Sequence, residues 1–197
     1  MIKATLDEVL RYRNEEVIRR FLQTWDMPRE EAEDLFQETK KWLWLNAYLT
    51  KPGERPPGLA ITFPLRLLDE MWHTFILDTL DYTQFCEQYF GFFIHHKPTT
   101  QEELDALDAT RQRDPGELRA ETEAEFRKQY ELIYEHLGPE TLSKWYSDYL
   151  ELYTDEYLES SWRWSFSPHD QSAPMRLRLT PPRQDSEDLG MPSAHVA

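Results

Sequence analysis

The stretch "LDEMWHTFILDTLDYTQFCEQYFGFFIHHKP", Leu68 to Pro98, decides the fold class. Leu68, Trp72, Phe75, Ile76 and Thr79 fall on one stripe when wound at 3.6 residues per turn, and Tyr82, Phe85, Cys86 and Tyr89 fall on a second. The spacing predicts a third helix from Pro64 through Asp78 and a fourth opened by the capping pattern Asp81 with Gln84. Gly91 marks a break or a close approach of backbone. The stretch also holds three of the six histidines, His73, His95 and His96, and the single cysteine. It is therefore both a piece of helical core and the densest concentration of reactive side chains in the chain.

Outward from it, the pattern stays helical. Thr5 with Glu8 forms a capping box and predicts one helix from about Leu6 to Thr24. Pro28 suits the first turn of a second helix, whose start the acidic run "REEAED" favours through the helix dipole. "KPGERPPG", Lys51 to Gly58, reads as an exposed loop, and "LAITF" after it is too short to carry a sheet. Thr100 with Glu103 caps a short acidic helix, and Asp114 before Pro115 opens a long one that ends near Gly138. Pro139 starts a final helix through Glu159. From Ser167 the chain is rich in Pro, Ser and charge, with no periodic apolar face to offset the entropy of ordering. The expectation is an all-α single domain of about six helices over residues 1–166, with a flexible, disordered tail over 167–197.

Composition restricts partners. The 197 residues carry a net charge of −15, which repels phosphate and disfavours nucleic acid and anionic membranes, leaving cations, basic peptides and basic proteins. No run approaches the ~18 apolar residues of a membrane span. A lone cysteine excludes an internal disulfide framework, and the polar N-terminus offers no secretory leader, so the expected location is the cytoplasm.

Asp69 and His73, four residues apart on a helix, project from one face and suit one cation. Cys86 and one of His95 or His96 are further candidate ligands, since adjacent side chains diverge and both rings rarely reach one ion. Carboxylate, imidazole and thiolate favour zinc or iron over magnesium or calcium. "DEMWH" approaches the zinc-protease pattern H-E-x-x-H with aspartate in the first position, placing Glu70 as a general base. Ordinary structural uses stand beside each of these. Cys86 in an apolar stripe serves as a small hydrophobe, and His73 as a hydrogen-bond partner of Asp69. Nucleotide-binding glycine motifs, the serine-hydrolase elbow and C-x-x-C are all absent.

Asp69, Trp72, His73, Tyr82, Cys86, Phe90, Gly91 and a histidine before Pro98 together resemble the signature of the glycine-rich domain-containing protein family. The resemblance covers about thirty residues. It implies a helical domain in which Asp69, His73, Cys86 and His95 or His96 form one constellation, without an assigned reaction. Phe75 stands where plant-type members tend to carry a second histidine, and the glycine-rich tail is missing. Two functional expectations follow: a zinc- or iron-binding helical domain, or an acidic helical module that meets a basic protein or peptide through Glu117 to Glu159 with no metal.

Overall fold

Local capping chemistry sets the helix starts. The computed structural model describes residues 2–50, 59–97 and 99–163. The Thr5–Glu8 capping box opens α1 (Leu6–Leu10), and an identical device, Thr100 with Glu103, opens α6 (Gln101–Arg113). The single helix expected from Leu6 to Thr24 is instead two. Asn14 leaves the helical region, and its side chain accepts from the Glu16 and Val17 amides to start α2 (Glu15–Thr24). Asn14 also donates to Asp81 at 2.7 Å, and Asp81 lies in the first turn of the fourth expected helix rather than at its cap, which is Asp78.

The long α3 (Arg29–Leu49) follows Pro28, which sits just before its first residue. A short 3-10 turn (Phe63–Leu65) leads into α4 (Arg66–Leu77), and α5 (Thr79–Tyr89) starts at once after Asp78. The long α7 (Pro115–Leu137) begins at the expected Asp114 cap. The last expected helix is broken by local geometry. α8 (Pro139–Ser143) runs through a π-helical turn (Lys144–Asp148) into α9 (Tyr149–Leu152), and after a non-helical Tyr153 a Thr154 cap begins α10 (Asp155–Ser161). The described residues are all-α, as expected, with more helices than six because of these breaks. The Lys51–Gly58 loop and the tail lie outside the described residues.

Two aromatic layers make the core. Phe75 packs its ring against Tyr12, Phe36, Tyr82 and Phe85, joining α2's approach segment, α3, α4 and α5. On the other side of α3, Trp42 meets Trp145 of the π-turn. Glu38, buried between them, accepts from Lys41, Lys144 and the Trp145 indole, so its charge is fully partnered. The "LAITF" segment forms no strand. Its Ala60 amide and carbonyl are both taken by the Gln129 side chain, at 2.7 and 2.9 Å.

Lys40 is buried and donates to the carbonyls of Leu10 and Tyr12, at 3.0 and 2.7 Å, closing the end of α1. Burial, with Arg13 nearby, pulls its amine down to about 7. The unfolded amine titrates near ~10.4, so between these values the unfolded chain binds more protons and stability rises with pH, by at most about 1.4 kcal/mol per unit. Arg13 donates to the same two carbonyls, so Lys40→Met leaves them partnered. Urea unfolding at pH 7 and pH 9.5 should show a stability gain in the wild type that is flattened in Lys40→Met. Parallel profiles would mean that the folded amine keeps its proton.

Candidate functional site

Helix α4 points its apolar stripe inward and leaves Asp69 and His73 one turn apart on its flank. The remaining histidines of the opening stretch lie beyond α5, on a segment with no helix of its own. Gly91, at φ +85°, reverses the chain there, a conformation that side-chain-bearing residues adopt with strain. A Cβ on Gly91 would also meet the Lys3 side chain at 2.8 Å. Beyond that turn the chain runs back over α4 and α5, and successive residues face opposite ways. Ile94 is buried, His95 is exposed against the Phe93 ring, and His96 reaches α4.

There His96 Nε2 lies 2.8 Å from Asp69 Oδ1, and His73 Nε2 lies 3.7 Å from Asp69 Oδ2. The two imidazole rings are 4.5 Å apart between centroids. Among the described residues, Asp69, His73 and His96 form the one group of three or more His, Cys, Asp or Glu residues arranged to hold a metal ion, with ligand atoms all within 4.8 Å of one another. Ligands about 2.1 Å from an ion sit roughly 3 to 3.5 Å apart, so closure requires movements of about 1 Å. The site is graded in exposure: side-chain accessibility is 14% for Asp69, 20% for His96 and 42% for His73.

Sequence spacing points to Asp69 and His73 directly, because four residues on a helix is a local relation. It leaves His95 and His96 as alternatives, and the structure brings His96 to Asp69 while His95 lies elsewhere. Cys86 is fully buried on α5 and lies outside the cluster. Burial pushes its thiol up, against smaller opposing effects of the Ile94 backbone and the Tyr82 hydroxyl. Glu70 lies 3.7 Å from His73 Nδ1.

Sequence reasoning placed Trp72 and Tyr82 on apolar stripes and in the family signature but not among the candidate site residues, yet both carry hydrogen bonds beside the site. The Trp72 indole donates to the Tyr82 hydroxyl at 3.0 Å, and that hydroxyl donates to the Ile94 carbonyl at 2.8 Å. Trp72 also packs edge-on to His96, with centroids 4.4 Å apart. The available signal is the residue type, since buried Trp and Tyr require partners for their polar tips.

A family model described as UCP032817-like matches residues 15–124, more than half of the chain. The chain belongs to the UCP032817-like family. The region matched by that family model runs from α2 into α7 and contains Asp69, His73, Cys86, His95 and His96. No curated protein and no solved structure matches the chain. No described helix is long and apolar enough to cross a membrane.

Glu70, and then Asp69, raise the pKa of the half-exposed His73 above the ordinary histidine value, against an opposing effect of burial. The sign for stability follows: the contribution of this imidazolium is complete below about 6.5 and fades as pH climbs through the raised folded value. Ring-proton NMR of the metal-free protein should place the His73 midpoint above that of a model peptide, and Glu70→Gln should bring it down. An unchanged midpoint in Glu70→Gln would remove Glu70 as the cause.

Proposed function

We propose that the chain is a metal-binding helical domain in which Asp69, His73 and His96 hold one zinc or iron ion. The observation that carries this reading is the convergence of both imidazole Nε2 atoms on the Asp69 carboxylate. Ligating histidines commonly hand their other ring nitrogen to a carboxylate, which fixes the ring and raises its basicity. Glu70 faces Nδ1 of His73 in that sense. Two nitrogen donors and one carboxylate suit zinc and iron, whereas magnesium and calcium prefer oxygen shells. Three protein ligands leave at least one coordination position for water or substrate, the arrangement of catalytic rather than closed structural sites. The exposed edge at His73 is where that position would meet solvent. The motif kinship with glycine-rich domain-containing proteins belongs to the same proposal, with Cys86 in a supporting place rather than in the ligand set.

A second reading, the acidic interaction module, is favoured by a different surface. Phe126, Tyr130, Tyr134 and Leu142 line an apolar cleft on α7 and α8, with Glu123 and Glu131 beside them. That combination suits a basic partner segment carrying apolar side chains, and it needs no metal.

Metal analysis of untagged protein, after reconstitution with zinc or with ferrous iron under argon, should find about one equivalent. His73→Ala and His96→Ala should each lose it, while His95→Ala retains it, because a three-ligand shell does not survive the loss of a ligand. Chelator should lower the melting temperature of the loaded wild type only. Metal-free protein after reconstitution, with a melting temperature indifferent to added metal and to chelator, would end the metal reading.

A further inference from the structure

His96 has to be presented by a segment that is neither helix nor sheet, so its position depends on what holds that segment's backbone. Ile94, two residues before it, is buried and held by its carbonyl, which accepts from the Tyr82 hydroxyl at 2.8 Å. Cys86 lies four residues after Tyr82 on the same face of α5, and both are fully buried. The Tyr82 hydroxyl is in turn oriented by the Trp72 indole at 3.0 Å, and Trp72 is the α4 residue that packs on His96 and adjoins His73 in sequence. The contacts close a ring: His96 on Trp72, Trp72 to Tyr82, Tyr82 to Ile94, and two residues along the chain back to His96.

We propose that Tyr82 is a positioning residue that clamps Ile94 and so fixes the His96 imidazole against Asp69, with Trp72 orienting the clamp and Cys86 filling the core one turn along α5. The metal consequence of the clamp rests on the metal-binding reading above; the clamp itself does not. A hydroxyl is needed at position 82 because it both accepts from an indole N–H and donates to a carbonyl, which phenylalanine cannot do. Cys86 acts by size, as a buried small side chain outside the ligand set, and burial pushes its thiol up.

The test uses the full chain and cobalt(II) as the probe metal, with hydrogen exchange of the metal-free protein as an independent readout. Tyr82→Phe should speed exchange of the Ile94 and His96 amides selectively and weaken cobalt binding by about 10- to 100-fold. Cys86→Ala, which removes only a buried packing atom, should bind cobalt within a few-fold of wild type. The wild-type cobalt spectrum should lack the near-ultraviolet sulfur-to-metal charge-transfer band that a thiolate ligand produces. Ile133→Ala, a buried change on α7, supplies a comparable loss of melting temperature without loss of cobalt affinity. If Tyr82→Phe does not fold, Trp72→Phe removes the same relay from its other end and should give the same pattern. Unchanged exchange at 94 to 96 in these variants would overturn the clamp, and a sulfur charge-transfer band would overturn the role given to Cys86. A wild type that binds no cobalt would sink the metal-binding reading and with it the clamp's metal role, leaving the exchange data to decide the clamp alone.

Discussion

Phe75 is the constraint on which the site's geometry depends. Its ring meets the rings of Tyr12, Phe36, Tyr82 and Phe85, from two other helices and the turn before α2. Fixing one residue of an α-helix fixes the bearing of all the others, at about 100° per residue. With Phe75 aimed at this centre, His73 points roughly 160° away from it and Asp69 roughly 120° away, towards the edge of the core. The pair is thereby held on a buried, rigid helix and still reaches the surface. A site built in this way needs no lid to be formed and no mobile loop to carry its first two side chains.

The same aromatic economy explains why so many polar tips lie in the interior. Tyr82 is fully buried, and its hydroxyl has both a donor and an acceptor partner. Burial pushes it far above the ordinary phenol range, so it remains a neutral donor at any pH at which the fold survives. Glu38 shows the charged version of the same rule, with two ammonium groups and an indole around one carboxylate. Removing one partner from such a group costs more than the bond itself, because what remains is a desolvated charge. These internal polar contacts tie α3 to the π-turn and α4 to α5 in one register each.

How far the sequence could be read depends on the range of each interaction. Thr5 with Glu8, Thr100 with Glu103, and Asp114 before Pro115 are local devices, legible in four residues, and each opens a helix where the pattern says. The Asp69–His73 pair is legible for the same reason. The helix break at Asn14 is harder, because a continuous apolar stripe hides it and its side chain is partly committed to Asp81, 67 positions away. The π-turn at Lys144–Asp148 follows from the long-range seating of Trp145 against Trp42 and Glu38, which no local window contains. The choice between His95 and His96 depends on the parity of an extended segment and on where Gly91 aims it. Cys86 is ambiguous in sequence because a ligand and a small buried side chain can occupy the same apolar stripe, and its place outside the Asp69–His73–His96 cluster depends on contacts that no local window contains.

The distances within the cluster indicate where the site is already formed and where it is not. His96 lies 2.8 Å from Asp69, backed by Trp72, whereas His73 lies 3.7 Å from the same carboxylate and is 42% exposed. A proton and a divalent cation compete for the same lone pairs, and ligands must shed protons before they can coordinate. The raised pKa of His73 strengthens the proton's side of that competition at this ring. Ordering cost is concentrated at the same residue, since a half-exposed ring has rotamer freedom to lose and a packed one has little. In the proposed metal site the work would be divided: the Asp69–His96 edge would supply preorganisation from the core, and the His73 edge the adjustable, solvent-facing contact.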